Sequence, residues 1–268
     1  MLRPALENNE INDAIVKNNK VYYPSKFLFL NAINGIRKGN LNGFIGTTGS
    51  GKSTLIKAII ADTAKHSKVL VWLTEESISE YQPKINQCIE DERYLKNISF
   101  IEESSLPAWC FGEQDAFFSY LKRLLVESGA EVMFIDNITS GFLYSDDIDV
   151  SGQGRSAIFL SKIAKELGVA IVYVAHTKKN VNDTYSGLIT KEDIRGSQKI
   201  SIVTEYLFIL QTINSNRQRF PVIIISKNRH HQIEDKYYIL KFADGVFQKD
   251  KKIDFELVKK IFSARERL

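Results

Sequence analysis

The eight residues GTTGSGKS, from Gly46 to Ser53, meet the pattern G-x-x-x-x-G-K-[ST] at every fixed position. They lie between an apolar run (Phe44, Ile45) and a helical pattern, which is the context this motif requires. Glycines here let consecutive backbone N–H groups turn inward on phosphates, and the N-terminus of the following helix adds a favourable dipole. The candidate nucleotide-binding residues are therefore Gly46, Thr47, Thr48, Gly49, Ser50, Gly51, Lys52, Ser53 and Thr54. In a loop of this kind the lysine, Lys52, reaches the β- and γ-phosphates, and the hydroxyl of Ser53 ligates Mg²⁺. ATP and Mg²⁺ are the expected ligands.

Hydrolysis at such a site needs a second acid for the metal and a group to orient the attacking water. The run EVMFID ends in Asp136, which can hold a Mg²⁺-bound water. KVLVWLTEES ends in Glu75 and Glu76; a carboxylate there can serve as general base, and Glu75 is the better candidate. VAIVYVAH ends in His176, a polar side chain able to sense the γ-phosphate and transmit its loss to the segment beyond. Another run, IIISKNRHH, ends in Lys227, Arg229, His230 and His231. Two cations delivered at the tip of an apolar strand await a negative charge, on this chain or on another.

The elements that must position these residues are legible as an alternation. LNGFIG precedes KSTLIKAIIADTAK, and KVLVWLT precedes SEYQPKINQCIEDERYL; AFFSYLKRLLVES leads to EVMFID, and SAIFLSKIAKELG to VAIVYVAH. Leu160, Ile163, Ala164 and Leu167 recur at helical spacing, and Gly168 stops that helix. Strands alternating with helices of this length imply crossover units and a mostly parallel sheet covered on both faces. Beyond residue 200 the pattern changes to EYLFILQTI, FPVIIISK and KYYILKF, expected as antiparallel strands that extend the sheet, and residues 253–267 read as a closing helix. Ligands of open α/β sheets collect at the carboxyl ends of strands, which is where the candidate residues fall. The fold class is thus α/β, a RecA-like P-loop domain over residues 35–268, preceded by an N-terminal arm or linker helix over 1–34.

Composition excludes several classes. With 44% hydrophobic residues among 268, the chain can bury a large core. Lys and Arg outnumber Asp and Glu by only 36 to 32, an excess that permits nucleic-acid contact without arguing for it. Cys88 and Cys110 suit neither a disulfide framework nor a metal site and read as reduced packing thiols. No apolar stretch is long enough to span a membrane, and MLRPALENNEIND lacks the apolar core of a secretory signal, so a cytoplasmic location is expected.

From about Gly35 to Gly245 these residues resemble the RecA-type motor domain of hexameric replicative helicases of the DnaB type. GIRKGNLNGFIGTTGSGKST looks like that family's first strand and phosphate loop, WLTEES sits where it carries a catalytic Glu, and EVMFIDN resembles its metal-binding strand. AKELGVAIVYVAHTKK is similar to its sensor strand, with His176 where the family usually has Gln. DIRGS, Asp193 to Ser197, resembles its Asp-Leu-Arg-Gly-Ser element, and Lys227-Asn228-Arg229 resembles its KNR. The resemblance implies that Lys227 and Arg229 act in trans, on the γ-phosphate bound by the adjacent subunit of a homo-hexamer. It implies that the segments after Asp136 and His176 grip single-stranded DNA, with Arg155, Lys178, Lys179, Lys191, Arg195 and Lys199 on phosphates and Gly152 and Gly154 allowing close approach. Primase or other replication proteins are the further partners implied. The large N-terminal domain usual in the family is not in this sequence; a piece of a longer protein and a small phage- or plasmid-encoded helicase both fit. A RecA- or RadA-like recombination ATPase and a helicase-loader-type regulatory ATPase are the rival readings. Lys52→Ala is expected to abolish nucleotide-dependent behaviour, and normal ATP turnover by that variant would overturn the phosphate-site assignment.

Overall fold

Runs such as VLVWL and VMFID are apolar at every position, so a sheet built from them must be covered on both faces. The computed structural model describes residues 25–111, 114–141, 150–177, 189–194, 198–215, 218–230, 233–254 and 256–258. Its first half runs α1 (Leu28–Ala32), β1 (Leu41–Gly46), α2 (Lys52–Thr63), β2 (Val69–Leu73), α3 (Ile78–Asn86), β3 (Ile98–Glu102), α4 (Gln114–Ser128) and β4 (Val132–Asp136). It continues with α5 (Val150–Leu167), β5 (Ala170–His176), α6 (Lys199–Val203), β6 (Tyr206–Ser215), β7 (Gln218–Asn228), β8 (Lys236–Ala243) and β9 (Val246–Ile253). The strands form one nine-stranded sheet in the order β3-β2-β4-β5-β1-β6-β7-β8-β9. Pairing is parallel from β3 to β6 and antiparallel from β6 to β9. This is the RecA-like α/β architecture that the sequence implies.

Period-2 alternation sorts each strand between two apolar layers. Leu70, Trp72, Met133 and Ile135 face the layer that contains Phe117, Leu121 and Leu160 of α4 and α5. Val69, Val71, Val132 and Phe134 face the other, with Phe29 of α1, Leu55 and Ile59 of α2, and Tyr81 of α3. Cys88 and Cys110 are buried free thiols, as expected of packing residues. Among the described residues no helix is long and apolar enough to cross a membrane.

Four expectations are corrected. Phe27, Phe29, Leu30 and Ile33, assigned to an arm, are buried in the second layer, with Phe29 5.4 Å from the Phe208 ring. The segment SEYQPKINQCIEDERYL is two elements: α3 stops at Asn86, and a 3₁₀ turn, Glu92–Asn97, starts behind an Asp91 cap on Arg93 N–H. Two strands are additional: β3 is a short half-buried edge, and β9 is Lys-rich because it too is an edge. β9 includes Ile253, read from sequence as helical; 256–258 are helical and 259–268 lie outside the described residues, as do residues 1–24. Lastly, Gly152 and Gly154 are not in an open loop but buried in the first turns of α5.

α1 is too short to be stable alone and is fastened by carboxylates. Asp250 of β9 accepts from Leu28 N–H (2.6 Å) and Phe29 N–H (2.9 Å), and Asp62 of α2 accepts from Ser25 Oγ and Lys26 N–H (both 2.8 Å). Asp250→Ala leaves the buried Phe29 N–H without an acceptor and is expected to cost about 1–3 kcal/mol in urea denaturation. A loss below about 0.5 kcal/mol would show that the Phe27 and Phe29 rings hold α1 unaided.

Candidate nucleotide-binding site

The phosphate loop leaves the end of β1 through a gap that admits only glycine. A Cβ on Gly46 would lie 2.3 Å from the Leu210 carbonyl oxygen and 2.9 Å from Ser50 Oγ. Gly51, at φ +94°, turns the chain into α2. Between them Ser50 N–H donates to Thr47 O (3.2 Å), and Lys52 Nζ folds back on the same oxygen (2.7 Å). Lys52 is buried; burial lowers its pKa to about 8, although Asp136 and Glu75 oppose the shift. Ser50 Oγ is buried without a hydrogen-bond partner, and the first-turn N–H groups of α2 have no intrahelical acceptor. A buried cation, an orphaned hydroxyl and a helix N-terminus around one loop fit a phosphate.

Asp136 ends β4 beside this loop and is buried. One oxygen, Oδ1, accepts from Ser53 Oγ (3.1 Å); the other, Oδ2, accepts from Tyr81 OH (2.8 Å). Burial raises its pKa, while the Tyr81 and Ser53 hydroxyls and the nearby Lys57 charge restrain the rise. A hydroxyl beside a carboxylate is a hard-oxygen donor set, so these residues fit Mg²⁺.

β2 pairs with β4, which brings Leu73 level with Asp136 and delivers Glu75 and Glu76 just beyond. The two carboxylates part company. Glu76 accepts from Lys57 Nζ (2.7 and 3.0 Å) and from Lys84 Nζ (2.9 Å). Burial pushes Glu76 upward, but those two ammonium groups outweigh it and hold the pKa below its ordinary value. Glu75 remains half-exposed on the site side, with Ser140 Oγ donating to its Oε1 and His176 Nε2 3.9 Å from that oxygen. His176 also lies 3.4 Å from Thr48 Oγ1 in the phosphate loop and 3.1 Å from Asn137 Nδ2, and its backbone N–H donates to Thr139 Oγ1 (3.1 Å). It therefore joins the loop to the end of β4.

Lys227 and Arg229 are elsewhere. Asn42, at the start of β1, is level with Tyr206 of β6, which pairs with Asn228 of β7. Gly46 is at the other end of β1, four residues or about 13 Å away along the strand. Lys227 Nζ donates to the carbonyls of Ser201 (2.5 Å) and Ile202 (3.1 Å) at the end of α6, and Arg229 Nη2 donates to Ile202 O. Burial, then the Arg229 charge, lower the Lys227 pKa to about 8. Neither side chain turns toward the phosphate loop of its own chain.

Of the candidate DNA contacts, Arg155 is exposed on α5, Lys191 is exposed on a 3₁₀ turn (Lys191–Asp193), and Lys199 is exposed at the start of α6. Lys178, Lys179 and Arg195 lie outside the described residues. A bridge between Thr177 and Ile194 ties together the two ends of the segment between them.

Sequence reading missed Lys57, Tyr81 and Asn137, all in contact with the residues above. Only Asn137, next to Asp136, carried a local signal. It also missed a cavity of about 520 Å³ beside the loop, lined by Gly49, Gly51, Thr54, Arg219, Phe242 and Phe247 among others. Phe242 and Phe247 meet edge to face there, 5.2 Å apart, across the β8–β9 hairpin. The Asp244-Gly245 turn, with φ of 55° and 79°, is a hairpin signal from which β9 was inferable.

Similarity to known proteins follows the same outline. The chain has 13% identity to the solved ATPase domain of a helicase, with a TM-score of 0.74 over 92% of this chain and 99% of that one. It also has 13% identity to a DnaB-like replicative helicase whose structure was described with its interactions with primase, with a TM-score of 0.72 over 90% of this chain and 67% of that one. No curated protein matches the sequence. The family model described as AAA domain matches residues 31–182, from α1 through the phosphate loop, Glu75 and Asp136 to His176. On that match, which spans more than half of the chain, and with the architecture of the DnaB-like motor domains around it, this protein belongs to the AAA domain family.

Proposed function

We propose that this chain is an ATP hydrolase that acts as a translocase and helicase on single-stranded DNA in DNA replication, working as a hexameric ring of identical subunits. The observation that carries the reading is that the Lys227–Arg229 pair emerges at the opposite end of the sheet from the phosphate loop. An arginine so placed can complete a nucleotide site only on a second copy. Such head-to-tail contacts close into rings when the rotation allows. A primase, or another replication protein, is the further partner proposed, since one of the similar structures is described with primase.

In this reading the loop N–H groups and Lys52 hold the β- and γ-phosphates, and Ser53 and Asp136 hold Mg²⁺, which supplies charge neutralisation between them. Glu75 orients the attacking water and takes its proton, with the Ser140 hydroxyl keeping Oε1 in place. Arg229 of the adjacent subunit stabilises the charge that develops on the transferred phosphoryl group, and Lys227 assists. His176, between Thr48 and Asn137, senses the γ-phosphate and passes its loss along β5 to Thr177 at the root of the next segment. That segment, with Lys178, Lys179, Lys191, Arg195 and Lys199, and Arg155 on α5, engages the DNA backbone.

The first test is the steady-state ATPase rate against protein concentration, with and without single-stranded DNA. A rate per subunit that climbs with concentration and again with DNA supports the assembled motor; indifference to both favours a switch-like regulatory ATPase. Arg229→Ala is expected to bind ATP but lose about 10³–10⁵ in turnover. Mixing it with Lys52→Ala restores activity, because about a quarter of the interfaces then pair an intact loop with an intact arginine. No recovery on mixing removes the trans role. Glu75→Gln should lower turnover about 10²–10⁴-fold with nucleotide still bound. Glu76→Gln should instead cost about 2 kcal/mol of stability, since it weakens the pairing of buried Lys57. Equal kinetic losses in the two variants would contradict this division.

A further inference from the structure

Tyr81 is a tyrosine that the sequence pattern marks only as an apolar position of an amphipathic helix. α3 starts at a Ser77–Glu80 capping box just after Glu76, which stands the helix over the end of β2. Its first turn then turns Tyr81 inward until the side chain is 1% exposed. A buried phenol needs an acceptor, and the one it finds is Asp136 Oδ2, at 2.8 Å. The ring is held from the other side. Lys57 Nζ sits 4.0 Å from its centroid, and Lys57 is itself fixed by two bonds to Glu76. The hydroxyl thus has no freedom to leave.

The consequence is an unequal division of the Asp136 carboxylate. Free rotation would make its two oxygens interchangeable, but one is committed to Tyr81 while the other faces Ser53 at the start of α2. We propose that Tyr81 is a positioning residue that locks the Asp136 carboxylate by its Oδ2, keeping Oδ1 aimed at the Mg²⁺ site beside Ser53, and thereby sets the metal affinity of the nucleotide complex. The inference rests on the reading of this site as one for Mg²⁺ and ATP. Partners that orient a metal-binding carboxylate typically control about 10–100-fold in metal affinity.

Tyr81→Phe removes the hydroxyl and keeps the ring, so packing and the Lys57 contact survive. The probe is Mn²⁺ bound to the complex of the full chain with ADP, titrated by electron paramagnetic resonance, with ADP affinity in EDTA measured alongside. The Phe variant is expected to bind Mn²⁺ about ten times more weakly while its metal-free ADP affinity is unchanged. In an Asp136→Asn background the same substitution should change Mn²⁺ affinity by less than about twofold, because its target carboxylate is gone. Unchanged Mn²⁺ affinity in Tyr81→Phe overturns the proposal. So does an equal loss in the Asp136→Asn background, which would make Tyr81 a packing residue. If the wild-type complex takes up no Mn²⁺ at all, the nucleotide-site reading itself fails, and that result is separate from either outcome for Tyr81.

Discussion

A carboxylate taken out of water must be compensated, and the burial of Asp136 is the constraint around which this structure is arranged. Its oxygens are occupied by two hydroxyls, from Ser53 and Tyr81, rather than by a bonded cation. Hydroxyls satisfy the lone pairs without cancelling the charge. The site therefore retains a negative charge at the end of β4, next to a phosphate loop with its own buried lysine. Both charges are costly in isolation, and both are offset when a metal and a polyphosphate arrive together.

The neighbourhood follows from keeping that arrangement rigid. Glu75 and Glu76 are adjacent in the chain, yet one is consumed by Lys57 and Lys84 and the other stays in the site. The pairing of Glu76 fixes the end of β2, and since successive side chains of extended chain point apart, it also directs Glu75 outward. Lys57 takes part twice, through the ion pair and through the face of the Tyr81 ring. A change at any of these residues would be felt at both carboxylates of the site.

The antiparallel extension of the sheet has a different role. Because β7 runs against β6, its last residues emerge where β1 begins, so Lys227 and Arg229 rest on the carbonyl end of α6. Strand direction thus leaves each chain with a phosphate site at one end and an arginine at the other, and one copy cannot bring them together. The β8–β9 hairpin returns to the phosphate side and contributes Phe242 and Phe247 to the cavity beside the loop.

The chain order of strands and helices, the phosphate loop, and the ends of β2, β4 and β5 were all legible in the sequence. Each depends on local patterns: a motif whose spacing reflects backbone geometry, or an apolar run that stops at a polar residue. β3 and β9 were not, because edge strands are half-exposed and their polar residues break the alternation. The choice of Glu75 over Glu76 was anticipated, but its cause was not, since it lies in Lys57, a residue of another helix. Tyr81 gave no chemical signal, because a tyrosine at an apolar helical position reads as core. The sequence by itself determined which residue types reach the ends of the strands. Only the tertiary structure decided which of them meet, because strand order, strand direction and the pairing of buried charges are set by contacts between segments far apart in the chain.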